Sequence, residues 1–340
     1  MKAAVFRELG QPLTVEEVPK PKVGRDEVLI ETRTCGICRT DLHILDGLAY
    51  IPKLPHIPGH EPAGIIAEIG DNVTQWKPGL RVVPHLFLSC GRCYYCRVGR
   101  DALCTSIKGI LGVTLPGGFA DYFVAPASNL FLLPENVPFE TGGLVSCAVI
   151  TAVHAFRKTR LGPSDSAVIV GGGGIGQLLI QILKATGVRT VVTGRSDETL
   201  ETARRLGADL AVKAGSADTH KLIKEFSGGD GVHCVFDCVG TAKTMKDSAG
   251  FSMRGGQIIV IGEEAEFPEI DTIQIAQREL QIVGSRNGSK QDAADSLAMM
   301  GQGLIKPPVV KIFPLEEIRE AMNYVRSGKA HGRVVIRVKE

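Results

Sequence analysis

Apolar and polar positions change their rhythm once along this chain, near Pro138. Before that point the apolar residues come in short β-like runs, at residues 2–6, 27–33, 64–69, 81–83 and 119–124, each broken by Gly or Pro. Runs of this kind predict an irregular, mostly antiparallel β domain. Residues 141–159 then read as one helix, and from residue 167 strands alternate with helices. The predicted strands are 167–170, 190–193, 210–212, 234–237, 257–261 and 281–284, with helices such as 175–186 and 198–206 between them. Six strands with intervening helices describe a doubly wound parallel α/β sheet. A helix near 315–326 and a strand at 333–338 are expected to return to the first domain. The expected division is 1–148, 149–287 and a returning segment 288–340.

Size and composition narrow the classes. A chain of 340 residues is long enough for two domains. Hydrophobic residues at 44% and charged residues at 22% are those of an ordinary globular protein. A formal charge of +2 provides no field for nucleic acid or anionic membrane, so neither is expected as a partner. Met1 to Gly10 holds no apolar core of signal-peptide length, and Gly or polar residues interrupt each apolar run before it could span a bilayer. Nine cysteines without an export signal fit a reducing cytosol in which thiolates serve metals, so a cytoplasmic location is expected.

The densest chemistry is Cys90-Gly91-Arg92-Cys93-Tyr94-Tyr95-Cys96, followed by Cys104. Two close thiol pairs can bring four sulfurs to the corners of a small tetrahedron, which Zn²⁺ fills without geometric strain of its own. Disulfides belong to oxidising compartments, and Cys93 and Cys96 are awkwardly placed for simple pairing. The spacing therefore predicts a structural zinc in a lobe at 90–104.

Val168-Ile169-Val170 runs into Gly171-Gly172-Gly173-Gly174-Ile175-Gly176 and then into an apolar helix. A bare glycine pattern is weak, but between a buried strand and a helix it becomes a dinucleotide fingerprint of the Rossmann type. Gly171 permits the tight turn, Gly173 lets the backbone approach a pyrophosphate, and Gly176 allows close helix–strand packing. Gly174 and Ile175 open the helix whose N–H groups and dipole face the phosphates. The following strand should end in an acidic residue for the adenosine ribose, yet it reads Gly194-Arg195-Ser196. A guanidinium there can pair with a 2′-phosphate and Ser196 can donate to it, so NADP(H) is preferred, with NAD(H) the alternative. Asp197 stands close enough to oppose that preference.

Three further segments carry metal-competent groups: Cys35-Gly36-Ile37-Cys38-Arg39-Thr40-Asp41-Leu42-His43, Gly59-His60-Glu61, and Ser146-Cys147 through Thr151. Together with the four-cysteine lobe and the glycine fingerprint, in this order, they resemble the zinc-dependent alcohol dehydrogenases of the medium-chain dehydrogenase/reductase family, over essentially the whole chain. The resemblance implies a GroES-like catalytic domain beside the Rossmann domain and two zincs per subunit. It implies a catalytic zinc on Cys38, His60 and Cys147 with a fourth position open to water or alcohol, and leaves Cys35 as packing. Asp41 should fix the His60 tautomer, and Glu61 should sit behind the zinc as an occasional ligand or field-tuning carboxylate. Thr40 and His43 resemble a relay carrying the alcohol proton through the nicotinamide ribose to solvent. Arg39 and Arg333 resemble pyrophosphate contacts and Thr151 a nicotinamide contact.

The implied reaction moves a hydride between an alcohol and the nicotinamide, with an aldehyde or ketone in the reverse direction. A polyol, sugar or amino-alcohol dehydrogenase of the same family is the first alternative. A zinc-free quinone or enoyl reductase would require loss of Cys38, His60 and Cys147, all present here. From another class, a nucleotide-binding redox sensor could use the cysteines as a switch. The substrate pocket is expected near Ala49, Tyr50, Leu86 and Ile110, with Ile261 and Arg286 on the cofactor side. Ala49 stands where some small-alcohol relatives carry a large aromatic, which suggests bulkier substrates. Relatives of this length are usually tetramers, so a homotetramer is expected, with a dimer the alternative.

Overall fold

The computed structural model describes residues 1–48, 50–264 and 266–340. The chain forms two compact units: Met1–Ile150 with Gly288–Gly303 and Pro307–Glu340, and Thr151–Asn287 with Leu304–Lys306. In chain order the first unit carries β1 (Lys2–Val5), β2 (Thr14–Glu17), β3 (Glu27–Ile37), β4 (Glu61–Ile69), β5 (Arg81–Pro84), β6 (Tyr122–Pro126) and β7 (Leu130–Leu132). The second unit follows with β8 (Ser166–Val170), β9 (Arg189–Gly194), β10 (Leu210–Lys213), β11 (Val232–Asp237), β12 (Ser252–Val260) and β13 (Gln281–Gly284). The chain then re-enters the first unit with β14 (Val309–Pro314) and β15 (Arg333–Arg337).

In the first unit β1 pairs with β2, and a larger mixed sheet runs β14-β15-β3-β4-β5-β7, with β6 on β3. β3 is its spine. Two register shifts against β4, at Leu29/Ile30 and between Thr32 and Thr34, bend the strand. Its first half therefore takes β6 and its second half takes β15 on the edge away from β4. Val28, Ile30, Phe119, Phe123 and Ile336 lie in the core beneath it. The pairing of Gly36 with Glu61 brings the chain ends leading to Cys38 and His60 together.

Two expectations shift here. The run at 119–124 becomes a strand only from Tyr122, because Phe119 donates its backbone N–H to the Pro58 carbonyl, its own carbonyl accepts from Ala4 N–H, and Ala120 makes only a single bridge to Ala3. The expected helix at 141–159 is broken into Phe139–Gly142, a 3₁₀ turn at Gly143–Ser146 and a helix at Ala148–Arg157, with a 52° bend. Gly142 and Gly143 weaken the helix. The Ser146 hydroxyl donates to the Pro84 carbonyl at 2.7 Å, and Ala148 N–H donates to Glu61 Oε1 at 3.2 Å, so the break is held from outside. Cys147 sits in it, at φ −131 and ψ −69.

The second unit is an all-parallel sheet in the order β10-β9-β8-β11-β12-β13. All five residues of β8 are buried, as expected for a strand covered on both faces. The helix Gly174–Ala185 lays Leu178, Leu179, Ile182 and Leu183 inward, at helical spacing. The strand order reverses between β8 and β11, which makes their carboxyl ends the switch point where open α/β sheets take ligands. Among the described residues no single helix is long and apolar enough to cross a membrane.

Candidate metal centres and cofactor turn

The lobe is local. Cys90, Cys93, Cys96 and Cys104 lie on a short helix, Tyr94–Arg97, and the turns around it, all half-buried. Their sulfurs are 3.5 Å apart for Cys93–Cys96, 3.8 Å for Cys93–Cys104 and 4.0 Å for Cys90–Cys96. A tetrahedral ion with ~2.3 Å bonds to sulfur has edges of about 3.8 Å, so the four thiols fit zinc as they stand. Amide N–H groups already point at sulfur, from Cys93 to Cys90 and from Cys90 to Cys104, each at 3.3 Å. Backbone donors, that of Cys96 foremost, pull the Cys93 thiol down to about 6, while burial pushes Cys96 up to about 12. Asp101 ties the lobe to the start of the helix Lys290–Gly301 by accepting from Lys290 N–H at 3.1 Å.

The second set is assembled from afar. Cys38 follows β3 directly, His60 directly precedes β4 and Cys147 occupies the helix break; with Glu61, their ligand atoms all lie within 4.8 Å of one another. His60 is buried, with Nδ1 3.1 Å from Asp41 Oδ1 and Nε2 left without a hydrogen-bond partner. A donor nitrogen orphaned beside two thiols, with its sister nitrogen held by a carboxylate, is the arrangement of a histidine metal ligand. The electrostatics agree. The hydrogen bond from Cys147 holds the Cys38 thiol well below its ordinary range, and the same bond pushes Cys147 up. Burial works against a charged His60, but Asp41 and the Cys38 sulfur raise it above the usual histidine value. Cys35, fully buried, stays outside the ligand set.

Asp41 also braces the helix Arg39–Leu45, accepting from Cys38 N–H at 2.8 Å. Thr40 Oγ1 lies 3.7 Å from Cys38 Sγ, and half-buried His43 stands three residues on, on the same helix face. Arg39 is exposed. Arg333 is buried with its guanidinium on Glu61 Oε2. Glu61 thus has Ala148 N–H on one oxygen and Arg333 on the other, and burial lifts it to about 7. The 272 positions between these partners leave no sequence signal for the pair. Leu86 and Ile110 are buried, Tyr50 is exposed at φ 51, and Ala49 lies outside the described residues.

In the second unit the glycine turn has the expected form. Gly171 adopts φ +97, which favours glycine, and a Cβ on Gly176 would collide with the Gly171 carbonyl. Gly173 is the exposed N-cap residue of the helix that Gly174 and Ile175 begin. Gly194 ends β9. Arg195 beyond it is exposed, with no partner among the described residues. Ser196 caps the helix Asp197–Leu206, its Oγ accepting from Thr199 N–H at 3.2 Å. Asp197 is drawn to Lys213 Nζ at 2.8 Å, a pairing between the start of that helix and the end of β10 that sequence reasoning missed. Thr151 is buried on the helix Ala148–Arg157, Ile261 follows β12, and Arg286 is exposed after β13.

Two sulfur-rich metal sets on one unit and a glycine turn on a doubly wound sheet in the other are the parts of a metal-dependent dehydrogenase. Residues 24–135 match the alcohol dehydrogenase GroES-like domain, and residues 174–302 the zinc-binding dehydrogenase domain. The chain is 38% identical to an alcohol dehydrogenase of Geobacillus stearothermophilus, over 99% of this chain and 100% of that one. It is 31% identical to an NAD-dependent alcohol dehydrogenase of Sulfolobus acidocaldarius, over 99% and 100%. The crystal structure of the alcohol dehydrogenase from Aeropyrum pernix superposes with a TM-score of 0.92 at 30% identity, covering 99% and 100%. The chain belongs to the zinc-dependent alcohol dehydrogenases of the medium-chain dehydrogenase/reductase family. Its activity is the transfer of a hydride between an alcohol, or the carbonyl compound in reverse, and a nicotinamide cofactor.

Proposed function

We propose that this alcohol dehydrogenase holds two zincs, a catalytic ion on Cys38, His60 and Cys147 and a structural one on Cys90, Cys93, Cys96 and Cys104, and that it prefers NADP(H). The observation carrying the catalytic assignment is His60, with Nδ1 on Asp41 and a buried, unpartnered Nε2 among the thiols. Zinc bound there with one position open supplies the Lewis acidity that lowers the pKa of an alcohol. Asp41 keeps the His60 tautomer that presents Nε2. Thr40, beside Cys38, takes the proton released by the alcohol hydroxyl, and His43 on the same helix face hands it on to solvent. Glu61, neutralised by Arg333, sets the field behind the thiols.

Two contacts support the cofactor reading. Arg195 presents a guanidinium without a partner among the described residues where a ribose-binding acid would stand, and Lys213 engages the neighbouring carboxylate of Asp197. A charge-assisted hydrogen bond to a 2′-phosphate favours NADP by roughly 1.5–3 kcal/mol, about ten- to a hundredfold. The relative from Sulfolobus acidocaldarius is named NAD-dependent, so the comparison is a direct one to make. The test is kcat/KM for NADP⁺ and NAD⁺ in the wild type and Arg195→Asp, which should reverse the preference. A wild type that already prefers NAD⁺ and hardly responds to the substitution would overturn it. Substrates bulkier than small alcohols, a homotetramer and a cytoplasmic location complete the proposal. A panel of primary, secondary and aromatic alcohols, light scattering and fractionation test these three.

A further inference from the structure

The switch point of the second unit holds a buried acidic side chain that the reaction does not use. Asp237 ends β11, directly beside Val170 of β8, and is completely buried. Its Oδ1 accepts from the N–H groups of Val239 and Gly240, both at 2.9 Å. Its backbone carbonyl accepts from Ile261 and Gly262, at 2.9 and 3.0 Å. Its Oδ2 is buried without a hydrogen-bond partner. The turn that it pins is packed to its limit. A Cβ on Gly171 would lie 2.9 Å from Val239 Cγ2, and one on Gly262 would run into the Val239 backbone. Cys238 N–H donates to the Val170 carbonyl at 3.0 Å and closes the ring of contacts. The side chain thus pins the turn after β11, whose Val239 packs against the glycine turn after β8 and the loop after β12, while the Asp237 backbone carbonyl holds that last loop.

A half-satisfied buried carboxylate is a costly way to hold a turn, and such a group asks for a reason beyond stability. Ligands of doubly wound sheets bind outside the strand ends that Asp237 fastens. We propose that Asp237 is a positioning residue for the nicotinamide cofactor: it holds Val239 against Gly171 and so fixes the floor on which the pyrophosphate is seated. The inference rests on the reading that the cofactor binds at the glycine turn of residues 171–176.

The test uses the zinc-loaded enzyme and reads the Kd of NADPH and NADH by their fluorescence, with KM for cofactor, kcat, zinc content and Tm. Asp237→Ala removes the oxygen that accepts from both amides and should raise Kd and KM for the cofactor about tenfold, with kcat at saturation and zinc content within about twofold. Asp237→Asn keeps an oxygen for the two N–H groups and should restore affinity to within about threefold. Val239→Ala takes away the wedge alone and should raise cofactor KM severalfold, which keeps the question open to measurement if Asp237→Ala fails to fold. Gly173→Asp serves as the reference. Position 173 has room for a side chain and suits an N-cap, so the fold survives while a carboxylate meets the pyrophosphate.

Loss of binding in Gly173→Asp with weakened cofactor affinity in Asp237→Ala, or in Val239→Ala where Asp237→Ala does not fold, supports the proposal. Loss in Gly173→Asp, with Asp237→Ala and Val239→Ala both unchanged, overturns the role of Asp237 and leaves the glycine turn standing. Unchanged binding in Gly173→Asp overturns both. Equal losses of Tm and affinity in Asp237→Asn and Asp237→Ala would make Asp237 a structural residue only.

Discussion

The two metal sets of the first unit are built in opposite ways. The lobe draws its four thiols from fifteen consecutive residues, half-exposed, with backbone amides as their main company. The inner set takes Cys38, His60 and Cys147 from three distant segments and surrounds them with Asp41, Glu61 and Arg333, all buried. A set made within one loop is closed by its own turns and depends little on the rest of the fold. A set made across the fold has groups whose protonation each neighbour alters, which suits an ion that must keep one position open for chemistry.

The largest effect should come from Cys147→Ser. Even substitutions behind the ligands of a metal site cost about 10–100-fold, so loss of a ligand should lower kcat/KM by more than roughly a hundredfold and release one zinc, with the fold retained. Normal turnover in this variant would mean that the inner set is not the catalytic one. Asp41→Asn comes next, with a fall of about 10–100-fold in zinc affinity or kcat/KM while the lobe keeps its ion. Metal analysis after mild chelation separates the two sites, and equal loss from both would erase the contrast between them.

Cys93→Ser should do the reverse. One zinc leaves, Tm falls by at least about 2–4 °C, and kcat per remaining inner zinc changes little. A loss of turnover out of proportion to the loss of folded protein would show that the lobe acts on the chemistry.

The smallest effect concerns acid. His56, four residues before His60, is buried, and desolvation pushes it below the usual histidine range despite a hydrogen bond to the backbone at Gly112. A lowered value means that the unfolded chain binds a proton first. The stability that His56 contributes is therefore complete above its unfolded value near 6.5 and is lost as pH falls from there towards the folded value. His56→Leu should flatten the fall of Tm with pH below about 6.5. A slope identical to the wild type would assign acid sensitivity to other groups.

The same contrast governs what could be read before folding. The lobe and the glycine turn were legible because each lies in one short stretch, where residue spacing is already spatial spacing. The parallel strands were legible for a related reason: a strand such as Ser166–Val170 is buried on both faces and reads as an unbroken apolar run. The inner set was visible only as scattered candidates that a family resemblance joined. The break at Cys147 stayed hidden because the Ser146 and Glu61 contacts that hold it open come from outside the helix. Lys213–Asp197 and the Asp237 bracket were missed for the same reason, being bonds between the ends of neighbouring elements.

The sequence by itself determined the local devices: four thiols at metal spacing, a glycine turn between a strand and a helix, and Arg195 where an acid was expected. Their cause is short-range, in turn geometry and side-chain type. Only the tertiary structure decided that Arg333 lies on Glu61, that His60 turns an unpartnered nitrogen towards two thiols, and that Asp237 holds the turn after β11 and the loop after β12. Those arrangements depend on sheet register and on burial, which bring distant residues together and make their charges felt where water no longer screens them.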